Sequence, residues 1–294
     1  MDRSVLRVVH VLAAVCAVCF SSGTSLAQVT DKPGLREEIW ALQTPWPVLA
    51  WVVRPLTTRA RSLVIMNHGI SLDPKERTFF PPIEYRDAAH WFANRGYMVV
   101  SPIRYGGTGI EDAERGLFPL FGAAVGKCDD PNFRRPGLHI AQLNQWVIDY
   151  FVAENMIEPK DIVIVGQSGG GWGSIALSSQ NPPSVRAMIT FAAGRGGRVD
   201  GKPNNNCAPD KLVEATGEFG HTSRVPMLWM YIENDTYFGP ELSKRMHAAF
   251  AAAGGNAQYH LFRPHGSDGH FFVDAADAVP IWSPLVGAFL DKLK

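Results

Sequence analysis

The feature that most constrains this chain is a short apolar run that leads into a glycine-rich turn around one serine. The run Ile162-Val163-Ile164-Val165 predicts a buried β-strand, and Gly166-Gln167-Ser168-Gly169-Gly170 and a predicted helix follow it. Gly-x-Ser-x-Gly between a strand and a helix is typical of a sharp turn that projects the serine hydroxyl above a parallel sheet. The sequence therefore predicts Ser168 as a candidate nucleophile, with a purely structural glycine turn as the alternative.

The segments around this turn alternate between predicted strands and predicted helices. Short apolar runs predict further buried strands at Leu63–Met66, Tyr97–Ser101, Ala187–Phe191, Pro226–Ile232 and Gln258–Phe262. Amphipathic spacing predicts helices at Tyr85–Asn94, Leu138–Glu154, Gly171–Ser179, Pro240–Ala253 and Pro280–Leu293. Residues 38–53 predict antiparallel strands at the sheet edge. This alternation predicts an α/β fold, a mostly parallel, doubly wound sheet with helices on both faces, in one domain over residues 28–294.

The first 27 residues have the character of a secretory signal peptide. Arg3 and Arg7 precede an apolar run over residues 8–20, and small residues stand at Ser25 and Ala27. A membrane anchor is the alternative, but about 20 apolar residues are needed to cross a bilayer, and this run is shorter. We therefore expect cleavage after Ala27, a periplasmic or secreted location, and no stable membrane insertion of the mature chain.

Export changes how the four cysteines are interpreted. Two of them leave with the leader, so the mature chain keeps only Cys128 and Cys207. In an oxidising compartment this pair favours one disulfide, with two separate buried thiols as the alternative. No CxxC pair in the body of the chain indicates zinc, and we expect no metal site. Basic and acidic residues both total 28, so no net positive charge favours a nucleic-acid partner.

A second chemical signal follows the predicted strand Leu63–Met66. The sequence continues Asn67-His68-Gly69-Ile70, and a His-Gly pair after such a strand is typical of the loop that donates one oxyanion-binding N–H in serine esterases. The other donor is the N–H that follows the nucleophile. We therefore predict an oxyanion hole formed by the N–H groups of Ile70 and Gly169. His68 receives no proton-transfer role, and an ordinary turn histidine is the alternative for it.

A serine nucleophile needs a carboxylate and a histidine, and in a strand–turn–helix context of this kind both follow it in the chain. Asp235 comes just past the strand Pro226–Ile232, whereas its rival Glu233 is expected still to belong to the strand end. Two histidines, His265 and His270, follow the last strand; a metal site there is disfavoured because no further ligand cluster stands nearby. We predict His270 as the base, because flexible glycines precede it and a phenylalanine pair that can fix the ring follows it.

With these motifs the chain resembles the α/β-hydrolase superfamily, and most closely its dienelactone-hydrolase-like serine esterases, over residues 62–293. The motifs that carry the resemblance are Asn67-His68-Gly69, Gly166-Gln167-Ser168-Gly169-Gly170-Gly171-Trp172-Gly173, Glu233-Asn234-Asp235 and Asp268-Gly269-His270. The resemblance implies a catalytic triad of Ser168, Asp235 and His270, a small-molecule ester as substrate, and no cofactor. Dienelactone hydrolase itself uses a cysteine nucleophile, so a serine here argues against dienelactone as the substrate.

The resemblance leaves the substrate open. The stretch between the predicted strands that end at Phe191 and start at Pro226 leaves little room for a helical cap. Trp172 and Tyr237 are candidates to line a pocket, although aromatic residues at such positions often belong to the core instead. A peptidase or amidase, and a depolymerase of polyester or plant-wall esters, would use the same triad. A binding protein without catalysis is disfavoured because all three members of the triad are present.

Overall fold

One mixed sheet organises the chain. The computed structural model describes residues 25–56, 62–70, 85–104 and 128–293. The strands are β1 (Ser25–Lys32), β2 (Leu35–Leu42), β3 (Val48–Pro55), β4 (Ser62–Asn67), β5 (Tyr97–Pro102), β6 (Ile162–Gln167), β7 (Val185–Phe191), β8 (Met227–Ile232) and β9 (Ala257–Phe262). Residues 1–24 of the predicted leader lie outside the described residues, and the predicted cleavage point after Ala27 falls within β1. Cleavage therefore stays a prediction.

The strand order defines where a ligand can bind. The sheet runs β1-β2-β3-β5-β4-β6-β7-β8-β9. β1, β2 and β3 pair in antiparallel fashion, β3 is antiparallel to β5, and every pairing from β5 to β9 is parallel. The predicted mostly parallel sheet with an antiparallel edge is confirmed. The carboxyl ends of the six parallel strands share one edge, which is where open α/β sheets bind ligands.

Helices cover both faces of this sheet. Within the described residues they are α1 (Arg86–Asn94), α2 (Arg134–Ala153), α3 (Ser168–Ser178), α4 (Pro209–Gly220), α5 (Pro240–Ala252) and α6 (Val279–Asp291). Residues of α1 and α6 pack into one buried core, which contains Phe92 and Trp282. Residues of α2, α3, α4 and α5 pack into the core on the other face, which contains Trp172 and Phe250. None of the helices described has the length and apolar character that a membrane crossing requires.

The connection between β7 and β8 differs from the sequence expectation. It contains the unpredicted helix α4, which has Pro209 in its first turn, where the missing N–H of proline costs no hydrogen bond. Leu212 and Phe219 of this helix are buried in the same core as α5. The segment therefore supplies one more helix of the layer that covers the sheet, and the helix is not a cap over the edge where the strands end.

Candidate active site

Ser168 stands where β6 passes directly into α3. β6 ends at Gln167, α3 begins at Ser168, and the serine has a φ of 50°, in the left-handed region that non-glycine residues rarely adopt. A Cβ atom on Gly166 would lie 2.5 Å from the carbonyl oxygen of Gly170, and a Cβ atom on Gly170 would lie 2.2 Å from the carbonyl oxygen of Asn67. Only glycine fits at these two positions, and this close packing sets the sharpness of the turn.

Asp235 and His270 form a buried, hydrogen-bonded pair. The Nδ1 atom of His270 lies 3.1 Å from Oδ1 and 3.3 Å from Oδ2 of Asp235. Asp235 follows β8, and its Oδ1 also accepts hydrogen bonds from the N–H groups of Tyr237 at 2.7 Å and Phe238 at 3.0 Å. These donors fix the orientation of the carboxylate and thereby that of the imidazole. The opposite ring nitrogen, Nε2, is directed away from Asp235.

Asp268 ties the loop after β8 to the loop that carries His270. Its Oδ1 accepts hydrogen bonds from the N–H groups of Thr236 at 3.1 Å and His270 at 3.0 Å, and its Oδ2 accepts one from the Thr236 hydroxyl. Partial burial acts to raise the pKa of Asp268, but the hydrogen bonds outweigh burial and hold the pKa below its ordinary value. Asp268 is therefore a charged anchor of the His270 loop.

Asn234 forms a second tie between the same two loops. Its Oδ1 accepts a hydrogen bond from the N–H of His265 at 3.0 Å, and its Nδ2 lies 3.2 Å from the carbonyl oxygens of His265 and Gly266. Gly269 approaches β8 so closely that an added Cβ would lie 2.5 Å from Cγ2 of Ile232. These contacts fix the His270 loop against the end of β8.

Gln167, the residue before the serine, connects three parts of the site. Its Nε2 donates a hydrogen bond to the carbonyl oxygen of His270 at 2.9 Å. Its Oε1 accepts one from the Tyr85 hydroxyl at 3.2 Å, and that hydroxyl accepts one from the N–H of Gly69 at 3.0 Å. Gln167 therefore links the turn of Ser168 to the His270 loop on one side and to the loop after β4 on the other.

The two residues predicted to supply the oxyanion donors are neighbours in space. Ile70 follows β4, and a Cβ atom on Gly169 would lie 3.0 Å from side-chain atoms of Ile70. The N–H of Gly169 belongs to the first turn of α3, where N–H groups have no partner within the helix and carry the positive end of the helix dipole. β4 and β6 are neighbours, and the helices that follow them pack on opposite faces, so the site lies at the topological switch point of the sheet.

Of the two aromatic residues predicted to line a pocket, only Tyr237 lies at the site. Its ring stacks on that of His270 with centroids 3.9 Å apart, and the half-exposed Phe271 meets both rings edge-on. Trp172 is fully buried, and its indole N–H donates to the carbonyl oxygen of Phe133 at 2.8 Å. The prediction that Trp172 lines the pocket is wrong, because its side chain fills the core between α2 and α3.

The rival acid and the rival base lie elsewhere. Glu233 is exposed, and β8 ends one residue before it. The expectation that Glu233 belongs to the end of the strand is therefore wrong. The Nε2 atom of His265 lies 3.3 Å from Oδ1 of the exposed Asp277, and its ring packs edge-on against Phe272. The structure thus pairs His270, and not His265, with Asp235.

Cys128 and Cys207 form a disulfide, which confirms the predicted pairing, with Cα atoms 4.9 Å apart. The bridge joins the segment before α2 to the segment before α4. The predicted rim loop over residues 104–136 falls largely outside the described residues, which resume at Cys128. Among the residues described, no group of three or more His, Cys, Asp and Glu side chains is placed to hold a metal ion.

Sequence reasoning missed most residues that hold the site together. A local sequence pattern could have identified Asp268, because aspartate side chains in turns often accept a hydrogen bond from the backbone N–H two residues later. Gln167, Tyr85 and Arg104 have no such pattern. Each of these three side chains contacts residues that are distant in the sequence.

Known proteins support the fold. A model of the dienelactone hydrolase family matches residues 82–280. The structure is similar to that of a cold-adapted esterase from an Arctic intertidal metagenomic library, with a TM-score of 0.59 and 15% identity over 92% of this chain and 100% of that chain. It is also similar to an acetyl xylan esterase from Paenibacillus sp. R4, with a TM-score of 0.60 and 12% identity over 96% of this chain and 92% of that chain.

A third similar structure is that of a puromycin-hydrolyzing peptidase of Mycobacterium tuberculosis. The TM-score is 0.59 at 18% identity, and the match covers 88% of this chain but only 39% of that chain. At such identities these similarities show the fold, which is the α/β-hydrolase fold expected from the sequence. A search of curated protein sequences finds no match.

Proposed function

The chain belongs to the dienelactone hydrolase family, and from this premise we propose that it is a serine esterase that cleaves carboxylic esters of small molecules through an acyl-enzyme. The observation that carries the proposal is the hydrogen bond from His270 to the buried carboxylate of Asp235, at the edge of the sheet where Ser168 occupies a left-handed turn. Serine hydrolases of this fold use the same arrangement of nucleophile, base and acid.

In the proposed reaction, Ser168 attacks the ester carbonyl while Nε2 of His270 takes the hydroxyl proton. Asp235 holds the proton on Nδ1 of the ring and stabilises the imidazolium that forms. The N–H groups of Ile70 and Gly169 donate hydrogen bonds to the oxyanion of the tetrahedral intermediate. His270 then protonates the leaving alcohol, and the acyl group remains on Ser168 as an ester.

Water completes the reaction in the same geometry. His270 takes a proton from a water molecule, which attacks the acyl-enzyme through a second tetrahedral intermediate at the same two N–H groups. Collapse of that intermediate releases the carboxylic acid and returns the proton to Ser168. The chain supplies every group in this sequence, so the proposal requires no cofactor.

A series of p-nitrophenyl esters of increasing acyl length, assayed beside the matching p-nitroanilides, tests this function with the mature protein. We expect ester hydrolysis, and Ser168→Ala should remove it almost entirely. A fluorophosphonate probe should label the wild-type chain on Ser168 and leave the variant unlabelled. Ester hydrolysis that persists in Ser168→Ala would contradict the proposal.

A peptidase or amidase is the second candidate, and the fold similarity to a puromycin-hydrolyzing peptidase favours it. The same three residues would cleave an amide, because only the leaving group differs. A kcat/KM for an anilide equal to or above that of its ester would favour this candidate. A polyester or plant-wall ester depolymerase is a third candidate, for which acetylated xylan and a polyester film are the substrates to compare with soluble esters.

Export is part of the same proposal. Residues 1–27 are proposed to be a signal peptide, and the Cys128–Cys207 disulfide fits a protein that works in an oxidising compartment. N-terminal sequencing of the periplasmic or secreted protein should begin at Gln28. A membrane fraction that retains Met1 would contradict this.

A further inference from the structure

One buried cation beside the site has no role in the proposed reaction. Arg104 lies two residues past the end of β5, and only 2% of its surface is exposed. β5 and β4 are parallel neighbours, so Arg104 stands beside the loop His68-Gly69-Ile70 that follows β4. Burial of an arginine is costly unless its donors are used, so its contacts indicate what the side chain is for.

One guanidinium nitrogen of Arg104 is directed at the carbonyl groups of this loop. Its Nη2 lies 3.1 Å from the carbonyl oxygen of Gly69 and also contacts the carbonyl oxygen of His68. The carbonyl of Gly69 and the N–H of Ile70 belong to one planar peptide unit, and they point in opposite directions. A cation that holds the Gly69 oxygen therefore fixes the direction in which the Ile70 N–H points.

His68 holds the same carbonyl from a second side. Its Nδ1 lies 2.7 Å from the oxygen of Gly69, and its Nε2 accepts a hydrogen bond from the N–H of Arg104 at 3.2 Å. The ring must therefore be neutral, with its proton on Nδ1. Burial and the charge of Arg104 together lower the pKa of His68 well below its ordinary value, although the hydrogen bond to Gly69 acts in the other direction. The neutral ring and the charged guanidinium form one clamp.

From this geometry we propose that Arg104 is a positioning residue for ester hydrolysis, which acts through the Gly69–Ile70 peptide to orient and polarise the Ile70 N–H toward the oxyanion. A donor on the carbonyl end of a peptide strengthens the N–H at its other end, because chains of hydrogen bonds polarise one another. The benefit appears mainly when negative charge develops on the substrate oxygen. This inference rests on the proposed function.

The test compares Arg104→Met with Arg104→Lys, using the best p-nitrophenyl ester of the series. Methionine keeps most of the volume without donors, and we expect kcat to fall about 10- to 100-fold with KM within about twofold, somewhat less than the loss of a whole oxyanion donor. Lysine supplies a charge and a single donor, so Arg104→Lys should recover part of kcat. Both acylation and deacylation use the oxyanion hole, so either limiting step reports the effect.

A transition-state readout separates positioning from general damage. A trifluoromethyl ketone adds to Ser168 as an anionic hemiketal, and its inhibition constant should rise in Arg104→Met by the same factor by which kcat falls. Ser101→Ala is the matched control. Ser101 lies on β5, the strand that precedes Arg104, is buried, and donates a hydrogen bond at 3.0 Å to the carbonyl of Met66 and not to the Gly69–Ile70 peptide. Its kcat should stay within about twofold of wild type.

Several outcomes would overturn the inference. A folded Arg104→Met with wild-type kcat would do so, as would a loss in Ser101→Ala equal to that in Arg104→Met. If neither Arg104 variant folds, as judged by circular dichroism, Arg104 is a core residue and the proposal fails. Fluorophosphonate labelling distinguishes failure of this inference from failure of the proposed function. If Ser168 of the wild type is not labelled, the proposed esterase function is refuted. If Ser168 is labelled and Arg104→Met keeps the wild-type kcat, only the role of Arg104 is refuted.

Discussion

Ser168 is held in place by backbone geometry, whereas Asp235 and His270 are held by side-chain hydrogen bonds between two loops. The serine turn lies within one strand–helix unit, and its shape depends on glycines whose Cβ atoms would collide with neighbouring backbone. The acid and the base lie 35 positions apart and meet because Asp268 and Asn234 tie their loops together. One half of the site therefore lies in one contiguous segment that packs against β4, whereas the other half is assembled from two segments that are distant in the sequence.

Because the two halves of the site are held by different interactions, they should respond differently to an added methyl group and to the loss of a charge. In the serine turn an added methyl group is harmful because nothing around it can move without moving a strand. In the His270 loop an added methyl group can be tolerated at Gly266, which faces open space, although not at Gly269, which packs against Ile232. The loss of one carboxylate charge should weaken the attachment of His270. The reaction requires both halves of the site at once. The largest expected effect, the loss of kcat, should therefore be the same whether the nucleophile or the base is replaced.

Replacement of either nucleophile or base should abolish turnover to the same extent. We expect Ser168→Ala and His270→Ala each to lower kcat for a p-nitrophenyl ester by about 10⁴ or more, because neither group can act without the other. The double variant should be little worse than either single variant. Steady-state kinetics with active-site titration of the wild type measures these effects.

His265→Ala is the control for the His270 loop. Its imidazole faces Asp277 at the surface, so the variant should keep most of its activity when circular dichroism shows an intact fold. An inactive His265→Ala together with an active His270→Ala would reverse the assignment of the base. Additive losses in the double variant of Ser168 and His270 would show that the two halves do not act as one unit.

A methyl group placed in each half tests the comparison directly. In Gly170→Ala the Cβ atom would lie 2.2 Å from the Asn67 oxygen and 2.5 Å from the His68 oxygen, so strands must shift. We expect a loss of about 3 kcal/mol or more in the free energy of unfolding, and reduced kcat. Gly266→Ala, at φ 59° with no atom within 4 Å, should cost only about 1 kcal/mol and leave kcat near wild type.

Urea unfolding and ester kinetics on both variants distinguish the two halves. Equal losses of stability would mean that the segment around Gly266 is as tightly constrained as the serine turn, which would remove the distinction. A stable and active Gly170→Ala would show that β4 can yield, and close backbone packing would then not be what shapes the turn.

The same distinction explains what could be predicted from the sequence. The strand, the glycines and the helix around Ser168 are contiguous, so the pattern alone indicates their structure. Asp235 and His270 follow from their positions after β8 and β9, because parallel strands end at one edge. The contacts of Arg104 with Gly69 and of Gln167 with His270 join residues 35 and 103 positions apart, and no local pattern predicts them.

The errors have a physical cause as well. Trp172 follows Ser168 by four residues, which places it on the same side of α3 but one turn further from the start of the helix. Its ring packs there against Phe133 and Phe219, so closeness to a site in the sequence does not by itself place a side chain in that site. The sequence does not predict helix α4, because the stability of this helix comes from packing of Leu212 and Phe219 against neighbouring helices, which the segment alone does not reveal.

The smallest expected effect concerns the charge that anchors the His270 loop. Asp268→Asn keeps an acceptor for the N–H groups of Thr236 and His270 but removes the charge, so we expect kcat to fall only a few-fold and the free energy of unfolding at pH 7 to fall by about 1 kcal/mol. Because the folded protein holds the pKa of Asp268 below its ordinary value of 3.8, the charged carboxylate stabilises the fold at higher pH.

The pH dependence of that loss is the decisive measurement. The difference in unfolding free energy between wild type and Asp268→Asn should be constant from pH 7 down to about 5. It should shrink as the pH falls below about 4, through the lowered pKa of the folded state, because the proton that neutralises Asp268 removes the advantage of the charge. Thr236→Val removes the hydroxyl that donates to Asp268. The pH dependence of its unfolding free energy should therefore lie between those of the wild type and Asp268→Asn. A difference that persists unchanged to pH 3 would mean that Asp268 acts through shape alone, and the His270 loop would then be held by packing, as the serine turn is.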